Sequence, residues 1–501
     1  MPFFKKHLEL FILVLLILFA IFFRFWHIKD YMVFLGDEGR DMLVLREIFT
    51  KGNIPFLGPS ASVGGFYLGP IYYWMAAPFL FLWRFDPIGP SYMVAIIGLA
   101  TVILLYKFLK NAVGFWPAII ASTLYSCAPL VVRYSRSSWN PNPLPFFSLL
   151  LIYLIYKGII RKKDIYFLGA GAALGVAVQL HYLALILAPI TVILILLSGE
   201  FKKIPKIVLF SLLGFLITFS PFLFFEIKHN FPNFRTILEF VTRGSTVGIK
   251  ISNIVWSTPN LGNILLEHIS SYTGTIYTRI AFWTLFSGAI VGLILNRKNK
   301  EKFYVFSVAI IWLIGGLVFL NSYKGTLFDY YFEVLYPAPF LLAGLVLSIG
   351  WRNYIFKIAS IVICITIVIF FIKHGFYLSQ PNRLIYQTQK IVNLVLEKTE
   401  NKPYNFALIS DGNSDHAYRY FLEIKNQKPK PLEEIITDQL LVVCESAKCA
   451  PLGHPIWEIA GFGRAEIENE WDLPEYNFKV YKLIHWSGEP SPAGRPAIKG
   501  I

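Results

Sequence analysis

Leu8-Glu9-Leu10-Phe11-Ile12-Leu13-Val14-Leu15-Leu16-Ile17-Leu18-Phe19-Ala20-Ile21-Phe22-Phe23 carries one charge, Glu9, in an otherwise unbroken apolar run. Lys5 and Lys6 precede it and Arg24 follows. An apolar stretch of roughly 20 residues behind a basic flank reads as a membrane-spanning helix. No small-residue cleavage site follows it, so the helix is expected to be retained, with the N-terminus in the cytoplasm.

The rest of the chain repeats this character. Of 501 residues, 55% are apolar and 15% charged, against about 25% charged in a soluble globular chain. A multi-pass membrane protein fits; a soluble enzyme, a disordered chain, a collagenous chain and a disulfide scaffold do not. The net charge of +15 is uneven: residues 376–501 carry −2 and the first 375 carry +17. Basic excess confined to the membrane part is what orientation by cytoplasmic lysine and arginine produces. Nucleic acid would need a concentrated basic face, and that reading is rejected. Of four cysteines, Cys127 and Cys364 lie in apolar runs and read as packing residues. Cys444 and Cys449 are close enough to bridge in an oxidising compartment, an outcome the sequence leaves open.

Eleven spans are expected, near 8–28, 90–109, 113–132, 143–157, 165–180, 183–198, 207–226, 275–296, 303–320, 331–349 and 355–375. The clusters Lys107/Lys110, Arg161-Lys162-Lys163, Lys202-Lys203/Lys206, Arg297-Lys298/Lys300/Lys302 and Arg352/Lys357 then share the cytoplasmic face with Lys5 and Lys6. Two conditions follow: 69–84 must not cross, which suits an interfacial or re-entrant helix, and 165–198 must turn at the outer face near His181. The domains expected are a membrane domain over 1–375, with its first outer loop at 29–84, and a small extracytoplasmic α/β domain over 376–486. In the latter 406–409, 440–443 and 478–484 read as strands and 417–424 as a helix. The Gly/Pro/Ser-rich stretch 487–501 reads as disordered.

The first outer loop opens Phe34-Leu35-Gly36-Asp37-Glu38-Gly39-Arg40-Asp41. Carboxylates directly after a membrane helix are costly unless they face water or a site. On a helix Asp37 and Asp41 share a face, with Leu45 rather than Glu38. The competing reading is a solvated acidic helix start, favoured by the helix dipole. The loop continues Gly64-Gly65-Phe66-Tyr67-Leu68-Gly69-Pro70-Ile71-Tyr72-Tyr73-Trp74, which alone could be an aromatic belt.

An acidic pair after the first helix, followed about 30 residues later by Pro70-Ile71-Tyr72-Tyr73, resembles the polytopic GT-C glycosyltransferases. Within them it is most similar to the branch of protein O-mannosyltransferases and lipid A aminoarabinose transferases. Ser126-Cys127-Ala128-Pro129 through Arg133-Tyr134-Ser135-Arg136 to Pro143-Leu144-Pro145 resembles that family's second outer loop. Leu180-His181-Tyr182 and Asp329-Tyr330-Tyr331 with Leu335-Tyr336-Pro337 resemble later stretches. Three departures stand out. Leu68-Gly69-Pro70-Ile71 replaces a His- or Lys-Pro-Pro-Leu, removing a metal or phosphate ligand; Asn140 and Asn142 stand where an Asp is common; and His181 stands where some members have Lys.

The resemblance implies a GT-C helical fold and transfer of a monosaccharide, with inversion, from a polyprenyl-phosphate carrier to an acceptor hydroxyl outside the cytoplasm. The acceptor is a protein, lipid or glycan. Such chemistry needs a general base within reach of the hydroxyl: Asp37, with Glu38 positioning the site. It needs cations for the departing phosphate: Arg133 and Arg136, with His181 donating to the same group. Tyr72, Asn140, Asp329 and Tyr330 complete the expected donor-binding set. The rival readings are snorkelling anchors for the arginines, packing for His181, and a partner for Lys324 in Asp329. No cofactor is required; a divalent ion at the carboxylate pair is possible but not indicated, and Cys444/Cys449 with His454 lacks a fourth zinc ligand. The absence of an Asp-x-Asp motif suits a lipid-linked donor. Three other functions compete. One is a polysaccharide polymerase or ligase using a diphosphate-linked oligosaccharide. Another is a lipid or sugar transporter, which the lack of an inverted repeat and of mid-membrane ionisable residues disfavours. The third is a non-catalytic scaffold whose tail binds partners, against which the acidic loop argues only through the resemblance.

Overall fold

The computed structural model describes residues 2–61, 64–243, 254–274, 276–446 and 449–488. The chain divides into two compact units: Met1–Ile28, Asn53–Trp83 and Ile88–Pro381 form one; Lys29–Gly52, Arg84–Pro87 and Asn382–Ile501 form the other. The boundary therefore differs from the one expected at 375. The first half of the outer loop belongs with the C-terminal sheet.

The first unit is a helical bundle. Among the described residues, seven helices are long and apolar enough to cross a membrane: Lys5–Phe25, Ile88–Val113, Leu144–Arg161, Phe201–Lys228, Ile276–Leu295, Lys300–Asn321 and Tyr354–His374. The pair Asp329–Leu335 and Pro337–Gly350, bent by 46°, makes an eighth if counted as one span. Every one of the eleven expected segments coincides with helix, but Phe115–Cys127, Ile165–Leu180 and Tyr182–Leu197 are shorter than a single crossing needs. Thirteen residues from Phe115 to Cys127 span only about 20 Å of a hydrocarbon core about 30 Å thick. The helix Ile71–Leu82, at 12 residues, is shorter still and carries the Tyr72-Tyr73 motif.

The outer surface of the bundle is apolar: Val362, Ile363, Ile365 and Ile369 of the helix Tyr354–His374 are all exposed, as lipid-facing residues should be. Inside, small residues let helices touch. A Cβ on Gly171 would lie 1.8 Å from the Ser211 carbonyl oxygen, and one on Gly214 would lie 1.9 Å from that of Leu168. The helices Ile165–Leu180 and Ile204–Lys228 are thus in backbone contact, a packing that dispersion alone rewards in lipid. Helix starts follow local rules: the side chains of Asn299 and Asn353 accept from the backbone N–H groups of Lys302 and Phe356, and Pro337 opens its helix at the first position. Cys127 and Cys364 are buried free thiols.

The second unit holds a four-stranded sheet of order β1-β2-β4-β3, with β1 Asn405–Ile409, β2 Gln439–Cys444, β3 Ala465–Leu473 and β4 Phe478–His485. β1 and β2 are parallel, and the other pairs antiparallel. The parallel pair requires a crossover, supplied by the helix His416–Ile424. β2 is buried along its whole length, as its apolar run implies. β3 and a helix over Leu384–Lys398 add to the expected elements. Cys444 and Cys449 are disulfide-bonded. Of the stretch 487–501, residues 489–501 lie outside the described residues.

The helix Gly36–Thr50 is part of this unit because it packs, backbone to backbone, on the crossover helix. A Cβ on Gly36 would lie 2.0 Å from Ser414 Oγ, and one on Gly39 would lie 2.2 Å from the Ala417 backbone nitrogen. Only glycine allows this approach. Phe34 packs on Phe421 with ring centroids 5.4 Å apart, and Arg46 pairs with Glu423 at 3.1 Å. The Arg84–Pro87 segment is tied in by Lys29–Asp86 at 2.6 Å and by the Tyr420 hydroxyl donating to the Phe85 carbonyl at 2.6 Å.

Candidate active site

In the second unit the acidic motif forms the first turn of Gly36–Thr50. Arg40 organises it. One guanidinium nitrogen, Nη1, donates to Asp37 Oδ1 at 2.9 Å, while Nη2 and Nε both reach Asp41 Oδ1, at 3.0 and 3.2 Å. Asp41 is fully buried, whereas the Asp37 side chain is 53% exposed. The two carboxylates that share a face are therefore bridged by one arginine, and only Asp37 is open to a substrate. Among the described residues no three His, Cys, Asp or Glu side chains converge as a metal-binding group.

Glu38 points elsewhere. Its carboxylate accepts the Leu35 backbone N–H at 2.9 Å, closing an otherwise unsatisfied helix start. Burial pushes its pKa up to about 7, against the opposing pull of the Leu35 N–H; Asp37 and Asp41 push the same way as burial. Glu38 holds the turn that presents Asp37 rather than facing the same space.

In the first unit the segment Tyr134–Asn142 gathers most of the expected donor-binding set. The Tyr134 hydroxyl donates to Asp329 Oδ1 at 2.8 Å, and the Tyr330 backbone N–H to the same oxygen at 2.9 Å. Trp139 meets Tyr330 edge-on at 4.7 Å, and the Tyr330 ring lies 5.9 Å from that of His181. Asn140 Nδ2 donates to the Leu180 carbonyl at 2.8 Å, next to His181. The Tyr72 hydroxyl is 2.7 Å from Ser138 Oγ. Tyr72, Asn140, His181, Asp329 and Tyr330 thus share one end of the bundle. Asp329 is held by Tyr134 and by its own helix start, and no ion pair joins it to Lys324 among the described residues.

The two arginines part company. Arg133, on Pro129–Tyr134, is exposed, and its guanidinium has no ion-pair partner among the described residues. Arg136 is 1% exposed. Its Nη1 and Nη2 donate to the carbonyls of Phe23 and Trp26 at 2.7 and 2.5 Å, and the guanidinium lies over the Phe376 ring. This closes the C-terminal end of the first helix, so Arg136 is not presented to a ligand. Its expected phosphate role is corrected on that ground. His181 is corrected in part. Burial pushes its imidazole down to about 4, and Nδ1 accepts the Leu183 N–H at 3.2 Å, leaving the proton on Nε2. It offers a neutral donor, not a cation.

Sequence reasoning missed the tail's share of the acidic site. The Gly36 backbone N–H donates to Asn413 Oδ1 at 2.8 Å. A Cβ on Gly39 would lie 2.5 Å from the His416 backbone carbonyl carbon, so the residue that opens the crossover helix is packed on the motif. A lone histidine in a polar segment gives no signal until that segment is folded against the motif.

Comparison with known proteins supplies the context. ArnT from Cupriavidus metallidurans, solved bound to undecaprenyl phosphate, superposes with a TM-score of 0.63 at 12% identity, covering 94% of this chain and 97% of that one. This chain has the GT-C fold. AglB, the oligosaccharyltransferase of Archaeoglobus fulgidus, solved with an inhibitory peptide and a dolichol-phosphate, matches this chain with a TM-score of 0.51 at 14% identity, over 88% of this chain and 70% of that one. Residues 68–225, from the aromatic motif to beyond His181, match the family model described as dolichyl-phosphate-mannose-protein mannosyltransferase. The inferred mannosyltransferase YkcB of Bacillus subtilis is 35% identical over 82 residues, which is 16% of this chain and 12% of that relative.

Proposed function

We propose that this protein is an integral-membrane glycosyltransferase that moves a monosaccharide, with inversion, from a polyprenyl-phosphate carrier to an acceptor hydroxyl on the extracytoplasmic side. The observation that carries the reading is the GT-C likeness over nearly the whole chain to a protein solved with undecaprenyl phosphate. The side chains supply matching chemistry. The open Asp37 carboxylate takes the acceptor hydroxyl's proton, the acceptor oxygen bonds to the anomeric carbon, and the bond from that carbon to the phosphate oxygen breaks with its electron pair. The carrier leaves as a phosphomonoester with one more negative charge. Arg133, exposed and without an ion-pair partner among the described residues, meets that charge. His181 Nε2–H and the Trp139/Tyr330 rings offer a neutral donor and aromatic faces to the sugar or phosphate. The Cys444–Cys449 bond supports an oxidising compartment for the sheet, consistent with an N-terminus in the cytoplasm.

The test is sugar release from a panel of polyprenyl-phosphate monosaccharides by the full-length protein in lipid. Acceptor-dependent consumption of one donor supports the reading. Consumption of a diphosphate-linked oligosaccharide in its place makes the protein a polymerase or ligase. Passage of intact lipid-linked sugar across the bilayer, without release, makes it a transporter. A second outcome is expected at the phosphate: Arg133→Gln weakens undecaprenyl-phosphate binding by about tenfold, the size of one charge-assisted contact, and leaves the melting temperature unchanged. Unaltered binding would remove Arg133 from the phosphate site.

A further inference from the structure

The second unit holds a cavity of about 220 Å³ whose lining includes neither the acidic motif nor the residues that touch it, Asn413, Ser414 and Ala417. Buried Phe406 lines it, and so does Trp457, which is 60% exposed. The cavity is preformed. Buried Asn405 donates from Nδ2 to the carbonyls of Lys430 and Ile435 at 2.8 and 3.0 Å, and its Oδ1 accepts the Thr437 N–H at 2.8 Å. The segment 430–437 is thereby pinned to the start of β1. The short helix Trp457–Ala460 is seated on the same segment: a Cβ on Gly461, the next residue, would lie 2.3 Å from Leu432 Cδ2. Glu433 Oε1 accepts the Trp457 indole N–H at 2.9 Å. The exposed ring is therefore oriented before any ligand arrives, which removes part of the ordering cost of binding.

Four ionisable side chains line the same space, two of each sign: Arg419 and Lys430, Glu433 and Glu458. Arg419 Nε donates to Asp415, and its guanidinium lies 6.0 Å from the Phe406 ring centroid. Its two terminal nitrogens, the Lys430 ammonium and the Glu458 carboxylate have no hydrogen-bond or ion-pair partner among the described residues. The indole and backbone N–H groups that Glu433 accepts hold its carboxyl below the usual range, so it stays an anion.

This mixture narrows the ligand. An anion drawn to Arg419 and Lys430 would meet Glu433 and Glu458, and a cation would meet the reverse. An apolar molecule would strip water from all four and return no hydrogen bond. A neutral polyol avoids each conflict. Every hydroxyl both donates and accepts, so neighbouring hydroxyls on one ring satisfy carboxylates and cations together. The C–H face of such a ring lies against the flat indole. The volume is below the roughly 300–1,000 Å³ of pockets that take drug-sized ligands, which leaves room for a single ring.

We infer that this cavity is a carbohydrate-binding site for one sugar ring, stacked on Trp457, its hydroxyls donating to Glu433 and Glu458 and accepting from Arg419 and Lys430. It gives the sheet unit a binding function of its own, independent of whether Asp37 is a base.

The test is saturation-transfer NMR on the full-length protein in lipid, without any donor, using the methyl glycosides of mannose, glucose, galactose and N-acetylglucosamine. Saturation of at least one is expected, with a Kd that Trp457→Ala raises about tenfold and Trp457→Phe partly restores. Glu458→Gln should weaken the same sugar severalfold. Trp457 is exposed and Glu458 has no partner to lose, so melting temperatures should stay at the wild-type value. No saturation of any of the four sugars overturns the inference. Binding that both Trp457→Ala and Glu458→Gln leave unchanged overturns it too, because the sugar would then sit elsewhere, the acidic site included.

Discussion

Asp37→Asn lowers sugar transfer by about two orders of magnitude or more, the range that a positioned general base contributes, while the protein folds and binds carrier as before. The geometry gives the reason. The side chain is 53% exposed, so the substitution perturbs no packing. The asparagine carbonyl oxygen still accepts from Arg40 Nη1, so the turn and its arginine bridge are kept. What disappears is the charge and the basicity of the one open carboxylate. Asp41 cannot substitute: it is fully buried and engaged by two nitrogens of Arg40. Glu38 cannot either, since its carboxylate is inside the fold on the Leu35 N–H. The check is the rate of acceptor-dependent release alongside undecaprenyl-phosphate affinity. Loss of rate with retained affinity assigns the base; equal loss of both makes Asp37 a binding residue; and an unchanged rate removes it from the mechanism.

The membrane helices and most of the tail are readable in the sequence because burial in lipid or in a sheet centre demands continuous apolar runs. Leu8–Phe23 and Leu440–Val443 leave little choice. β3 escapes that reading. Its residues alternate Ala465, Ile467, Trp471 and Leu473 with Glu466, Glu468, Glu470 and Asp472, an edge strand whose acids guard it against pairing with other chains. Its period of two was legible, but its polarity resembles a loop. The helix Leu384–Lys398 hides similarly, with Ile385, Thr388, Ile391, Val392 and Val395 buried on one face of a polar sequence. The division of the first outer loop was not legible. Gly36 and Gly39 look like ordinary loop glycines until Ser414 and Ala417, nearly 380 positions on, come to rest on them. The motif Asp37-Glu38-Gly39-Arg40-Asp41 shows that chemistry is present. Which carboxylate is open depends on where one arginine and one backbone N–H fall, and that is decided by packing.

The same limit separates Arg133 from Arg136. Three residues apart, they are equivalent in sequence, both basic and both at the mouth of a membrane helix. The helix ends between them, at Tyr134, and the turn that follows sends one side chain outward and the other inward. Arg136→Ala is therefore expected to act on stability. It removes two charge-assisted bonds, strands the buried Phe23 carbonyl, unpairs the part-buried Trp26 carbonyl and leaves a cavity beside Phe376. The cost is about 3 kcal/mol or more. Arg136→Lys should recover little, because a single ammonium cannot reproduce a fork that satisfies two carbonyls at once. The measurements are thermal unfolding in detergent and undecaprenyl-phosphate affinity of the protein that remains folded. A lowered melting temperature with undiminished affinity is the outcome expected of a residue that closes the first helix. Wild-type stability with lost affinity would instead make Arg136 a phosphate ligand, and the hydrogen bonds to the Phe23 and Trp26 carbonyls would then have to open when the carrier binds.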